Sequence, residues 1–126
     1  MTDTSPAVRT YKTAWFSWAA RMAHITDQEL CVAVAQASLG QADDLGGGVF
    51  KKRLNKNEHR AIILSKTRGF WIYEYVFAKK DRDNINEAEL KTFRLLVKSY
   101  ATLTAEQIAA LVNEKDWIEI CKETTP

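Results

Sequence analysis

Three runs decide the fold: Val49-Phe50-Lys51-Lys52-Arg53-Leu54, then His59-Arg60-Ala61-Ile62-Ile63-Leu64-Ser65-Lys66-Thr67, then Phe70-Trp71-Ile72-Tyr73-Glu74-Tyr75-Val76-Phe77-Ala78. Each has strand length and is rich in β-branched or aromatic residues. Asn55 to Glu58 and Arg68-Gly69 supply the turns between them, which predicts an antiparallel meander. The middle run is too continuously apolar for a strand wet on one face, so helices are expected to cover part of the sheet.

N-terminal to these runs, Thr26-Asp27-Gln28-Glu29 predicts a capping box, with Glu29 reaching back to Thr26. Leu30, Ala33, Val34 and Ala37 follow at helical spacing, and Gly40 stops the helix. Thr10 to Phe16 reads as a short strand leading into a short helix through Trp18, Ala19 and Met22. Residues 1–9 read as a flexible tail, leaving 10–126 as a single domain. Ala42 to Gly48 reads as a loop. Its three glycines lack phosphate-loop spacing, so they are taken as an entry into the next strand.

Beyond the meander, Asn86 with Glu89 opens a helix whose apolar face is Leu90, Phe93, Val97 and Tyr100. Thr104-Ala105-Glu106-Gln107 opens another, with Ile108, Leu111 and Val112 inward. Trp117 to Cys121 reads as a closing strand. The expected order is β-α-α-β-β-β-α-α-β, an α+β domain with a small antiparallel-rich sheet and helices packed against it.

The chain has 126 residues, 46% of them hydrophobic and 27% charged, which fits one globular domain. That excludes a multi-domain enzyme, a rod and a membrane span, and the polar N-terminus does not read as a secretory signal. Cys31 and Cys121 do not make a disulfide framework and are expected as buried, small apolar residues of a protein in a reducing compartment. Together with His24 and His59 they show no metal-ligand spacing, so no metal or cofactor is expected.

The net charge of +2 conceals an asymmetry. Lys51, Lys52, Arg53, Lys56, Arg60, Lys66, Arg68, Lys79, Lys80 and Arg82 face only Glu58, Glu74 and Asp81 in the same stretch, while acids outnumber bases elsewhere. A middle third this basic points to an anionic partner, nucleic acid first. Strand alternation places Val49, Lys51 and Arg53 on one face and Phe50, Lys52 and Leu54 on the other. Phe50 and Leu54 belong to the core, leaving Lys51 and Arg53 together opposite. Arg60 opens the next strand, and Lys79, Lys80 and Arg82 follow the third. Such a cluster binds phosphate by charge and bidentate hydrogen bonds, and a lysine among like charges is a candidate base. Trp15, Phe16, Trp18, Tyr73, Tyr75 and Phe77 are assigned to the core, with base stacking as the alternative role.

Leu45-Gly46-Gly47-Gly48-Val49-Phe50-Lys51-Lys52-Arg53, Tyr75-Val76-Phe77-Ala78-Lys79-Lys80-Asp81-Arg82-Asp83-Asn84-Ile85 with Glu89-Leu90, and Tyr11-Lys12-Thr13-Ala14-Trp15-Phe16-Ser17 carry a resemblance. Over roughly residues 10–121 the chain resembles RelE-type toxins of bacterial type II toxin–antitoxin systems, in a RelE/HigB-like branch of the RelE/ParE superfamily. The resemblance implies a cytoplasmic, ribosome-dependent mRNA endonuclease that inhibits translation without metal. In that reaction the 2′-hydroxyl attacks phosphorus, giving a 2′,3′-cyclic phosphate. It implies catalytic roles for Lys51, Arg53, Arg60 and Lys80, with RNA-binding roles for Lys52, Lys56, Lys79 and Arg82. It also implies a neutralising antitoxin of helix-turn-helix type, ribosome and mRNA as partners, operator DNA only through the antitoxin complex, and no membrane. The late helix offers Asn84 and Asn86 where some members of the family carry a tyrosine or histidine. His59, next to Arg60, is expected on the opposite face. The alternatives are a ParE-like gyrase inhibitor and a non-catalytic RNA- or protein-binding module on the same fold.

Overall fold

Ala61-Ile62-Ile63-Leu64 lies near the middle of a six-stranded sheet in a computed structural model that describes residues 9–65 and 69–122. The elements are β1 (Arg9–Thr13), α1 (Ala14–Met22), α2 (Asp27–Ser38), β2 (Asp43–Gly46), β3 (Val49–Leu54), β4 (His59–Ser65), β5 (Phe70–Ala78), α3 (Glu87–Tyr100), α4 (Ala105–Asn113) and β6 (Trp117–Ile120). The sheet order is β2-β3-β4-β5-β1-β6. Strands β2 to β5 form the antiparallel meander, β1 lies parallel to β5, and β6 closes antiparallel on β1. This is an α+β fold with a mixed sheet.

The unbroken apolar run in β4 is explained by burial on both faces. Ala61 and Ile63 point into a core with Phe16 of α1, Leu30 and Val34 of α2, Leu54, Trp71 and Tyr73. Ile62 and Leu64 point the other way, into a core with Tyr11, Val49, Ile72, Phe77 and Trp117, capped by α3 and α4 through Phe93, Val97, Ile108 and Val112. A strand covered on both sides has no need of polar alternation. Tyr73 fastens α2 by donating its hydroxyl to the Leu30 carbonyl at 2.6 Å. Buried Lys12 on β1 pairs with Asp27 in the first turn of α2 at 2.7 Å. Among the described residues no helix is long and apolar enough to cross a membrane.

Several expectations are corrected. The glycine-rich stretch is a β-hairpin, not a loop: β2 pairs with β3, adding a strand to the expected order. Gly47 and Gly48 turn it with φ of 66° and 86°. A Cβ on Gly47 would stand 2.8 Å from Arg94 Cγ, and one on Gly48 2.8 Å from the Ser65 carbonyl oxygen. Arg94 of α3 donates to the Leu45 carbonyl at 2.5 Å, so the glycines let α3 seat on the hairpin.

The first strand stops at Thr13, whose hydroxyl accepts the Phe16 N–H at 3.0 Å and caps α1. Trp15 and Phe16 are therefore helical. Thr26 does cap α2, accepting the Glu29 N–H at 3.1 Å, but the Glu29 carboxylate accepts the Asn55 N–H in the β3–β4 turn instead of reaching back. The reciprocal boxes form at Asn86–Glu89 and Thr104–Gln107. The cysteines are not separate thiols: Cys31 of α2 and Cys121, just past β6, are disulfide-bonded across a sequence separation of 90. Cys121 has a φ of 63°, and β6 ends before it. Arg9, read as tail, opens β1 and pairs with Glu119 at 2.7 Å. The remaining tail, together with Lys66, Thr67 and Arg68, lies outside the described residues.

Candidate functional site

Two rows of residues cross the α3 face of the sheet. Lys51 stands opposite Ile62, and Ile62 opposite Tyr75. One step along, Arg53 stands opposite Arg60, and Arg60 opposite Phe77. Neighbouring strands are about 4.8 Å apart, so each row spans about 10 Å from β3 to β5. Helices α3 and α4 cover this face over Val49, Leu64 and Ile72. Toward the other end of the strands the cations come to the surface: Arg53 is exposed, and Lys51 and Arg60 are half-buried. The alternation expected for Lys51 and Arg53 holds.

Tyr75 owes its place to a bulge. Ile63 pairs with Tyr73 but Ile62 pairs with Tyr75, so β5 carries one extra residue, Glu74. Without it, Tyr75 would share the Tyr73 face and enter the other core. The half-buried Glu74 carboxylate accepts the Tyr100 hydroxyl at 2.9 Å. Burial pushes its pKa up, and the tyrosine hydrogen bond partly opposes that shift.

Each cation is held differently. Lys51 Nζ lies 3.8 Å from Asp43 on β2. Arg60 donates to the carbonyls of Asn57 at 3.1 Å and His59 at 3.2 Å, which turns its guanidinium toward the β3–β4 turn. Among the described residues Arg53 has no ion-pair partner. Arg82 returns to the sheet from beyond β5. It makes a two-pronged bridge to Glu89 of α3 at 2.5 and 3.0 Å, lies 5.4 Å from the Phe77 ring centre, and reaches the Tyr75 hydroxyl at 3.4 Å. The Arg82 hydrogen bond, and then the Asn86 N–H, hold the Glu89 carboxyl below its usual pKa, while Glu89 raises that of Arg82.

Of the eight cations singled out from the sequence, Lys51, Arg53, Arg60 and Arg82 share this face. Lys79 and Lys80 are exposed in the turn after β5. The Lys79 N–H donates to the Glu58 carbonyl at 2.9 Å, bringing that turn beside the one carrying exposed Lys56. Lys52 faces away, opposite Ala61. His59 also lies on the far face, opposite Leu54, with Nδ1 3.2 Å from the Asn55 amide nitrogen. Asn84 accepts the Ile85 N–H and Asn86 accepts the Glu89 N–H, each at 2.8 Å, so both side chains are committed to starting α3.

Two features escaped the sequence reading. Arg82, expected as an RNA-binding residue flanking a catalytic Lys80, is instead the cation of its segment that reaches the sheet, and the signal for this was its register with Glu89 inside the Asn86 capping box. Trp15 and Trp18, assigned to the core, are exposed instead, while Phe16, Tyr73 and Phe77 are buried and Tyr75 is half-buried.

A two-sided α/β/α layering with a cationic face at one end of the sheet defines a small domain suited to an anionic partner. Residues 8–120 match the family described as the RelE toxin of the RelE/RelB toxin–antitoxin system. The chain belongs to this family, whose members are toxins paired with an antitoxin. No curated protein and no solved structure matched it.

Proposed function

We propose that this protein is a ribosome-dependent mRNA endonuclease that arrests translation and is neutralised by its cognate antitoxin. The observation that carries the reading is the convergence of Lys51, Arg53, Arg60 and Arg82 on one face of the sheet, beside Tyr75. In-line attack of a 2′-hydroxyl on phosphorus builds negative charge on the phosphoryl oxygens. Fixed guanidinium groups stabilise that charge and form bidentate contacts with it. Arg60 is held by backbone carbonyls that leave its charge unmatched, which supports a role in charge stabilisation. Arg82, by contrast, already shares its fork with Glu89 and supports the site by holding Tyr75 and through the N–H it has left. Arg53 meets the approaching phosphate, and Lys51 is the one amine in the cluster, hence its candidate base. Lys56, Lys79 and Lys80 at the strand ends add sequence-independent attraction for the RNA backbone. Lys80 takes this supporting role in preference to a catalytic one, because it sits in the exposed turn.

The antitoxin, of helix-turn-helix type, would cover the cationic face, and the pair would bind operator DNA through the antitoxin. The site of action would be the cytoplasm, where ribosomes are. A second reading, a binding module without catalysis, is favoured by the commitment of Asn84 and Asn86 to α3. It leaves that end of the site without a free acid or base.

The deciding experiment is inducible expression of wild type and Arg60→Ala in a translating cell, with mapping of new mRNA 5′ ends. Codon-phased 5′-hydroxyl ends in the wild type alone are expected. Growth arrest with intact mRNA would instead point to gyrase or another protein target, and no arrest to the non-catalytic module.

A further inference from the structure

The molecule carries an exposed aromatic track that runs into the cationic face. Trp15, Trp18 and Met22 fall on one side of α1 and are 45%, 55% and 64% exposed. A helix selected only for burial would turn such side chains inward. Trp15 lies stacked on Tyr75, with ring centres 5.4 Å apart and planes 21° from parallel. Trp18 continues the track at 6.4 Å from Trp15. Beyond Tyr75 stand Phe77 at 5.9 Å and the Arg82 guanidinium on the tyrosine hydroxyl. The track thus begins in open aromatic rings and ends among Lys51, Arg53, Arg60 and Arg82.

We propose that Trp15 and Trp18 form a stacking platform for RNA bases next to the phosphate held by the cationic face. This rests on the reading of that face as an RNA site. Single-stranded nucleic acid is bound by the combination present here, aromatic rings for the bases and a cationic surface for the backbone. An apolar protein helix would use the rings and leave the adjoining guanidiniums unmatched. Bases in single-stranded RNA are free to unstack onto aromatic side chains, whereas those in a duplex are not. The bulge at Glu74 is part of the device, because it places Tyr75 under Trp15.

The test uses a short, fully 2′-O-methyl RNA, which cannot be cleaved, and an oligomer of the same length with abasic sugars at its centre. Trp71 and Trp117 are buried, so quenching of tryptophan emission by the RNA reports Trp15 and Trp18. Expected results are quenching of the wild type and binding about tenfold weaker in Trp15→Ala and in Trp18→Ala, with Trp15→Phe keeping most of the affinity. The abasic oligomer should bind wild type and Trp15→Ala equally. RNA affinity unchanged by both alanine variants would overturn the proposal and assign the stripe to a protein partner. Failure of the wild type to bind would overturn it as well. Binding and quenching in a protein that cleaves no mRNA in cells would uphold the platform while sinking the endonuclease reading.

Discussion

Arg53 on β3 lies directly across from Arg60 on β4, so two guanidinium-bearing side chains stand side by side on one face of the sheet. Like charges in directly opposed positions destabilise a strand pair, where cross-strand pairs act on a scale of roughly 0.2–1 kcal/mol. Arg60 relieves part of this by donating to the Asn57 and His59 carbonyls, whereas among the described residues Arg53 has no ion-pair partner. Arg53→Gln is therefore expected to stabilise the protein by about 0.5 kcal/mol in urea unfolding while lowering RNA cleavage. A variant that is both less stable and fully active would show that Arg53 serves the sheet.

Arg82 and Lys80 separate two kinds of cation. Arg82 is fixed by Glu89, the Phe77 ring and the Tyr75 hydroxyl, whereas Lys80 sits in an exposed turn. A preorganised group aimed at developing charge is worth about 10²–10³ in rate. A solvated lysine contributes through release of counterions from the RNA backbone. Arg82→Ala should thus abolish growth arrest with the fold intact by circular dichroism. Lys80→Ala should keep cleavage at low salt and flatten its salt dependence by up to roughly 0.7 in the log–log slope, the share of one phosphate contact. Equal loss of cleavage at low salt in both variants would return Lys80 to the chemistry.

What the sequence disclosed and what it hid follow from the range of the interactions. Alternation alone placed Lys51 and Arg53 together, because a strand's side-chain period is fixed by its backbone. The caps at Asn86 and Thr104 were legible because their partners lie three residues away. The bulge at Glu74 was not, since it exists only in the register between β4 and β5. Nor was the hairpin at Gly46-Gly47-Gly48, whose glycines serve the approach of Arg94 and Val97 from a distant helix. Trp15 and Trp18 were assigned to the core as large aromatics usually are, and Thr10 to Phe16 read as one strand. Thr13 ends that strand by capping α1, and this moves Trp15 from the sheet to a helix surface.

Glu74 gives the protein a pH signature. Burial raises its pKa in the folded state above that in the unfolded chain, so the native state holds the proton more tightly. Its contribution is fully present below the unfolded value, about pH 4.3, and is lost as pH rises through the folded pKa. The Glu74→Gln amide is always neutral and its oxygen can still accept the Tyr100 hydroxyl. The Tm of the variant should match wild type in acid and exceed it increasingly as pH approaches neutrality. A constant offset across that range would mean that ionisation of Glu74 plays no part.

The disulfide ties α2 to the end of β6, beside the core opposite the cationic face. Closing a loop with a separation of 90 residues removes much of the freedom of the unfolded chain. Such a bond stabilises by about 2–4 kcal/mol. Reduction, or the paired substitutions Cys31→Ala and Cys121→Ala, should therefore lower the urea midpoint, by that free energy divided by the denaturant slope m. RNA cleavage should persist below the transition, because Lys51, Arg53, Arg60 and Arg82 keep their strand register. In a reducing compartment the bond would open, and the toxin would work at the lower stability. An unchanged urea midpoint on reduction would show that packing of Ile120 and Ile118 secures this end of the sheet without the covalent link.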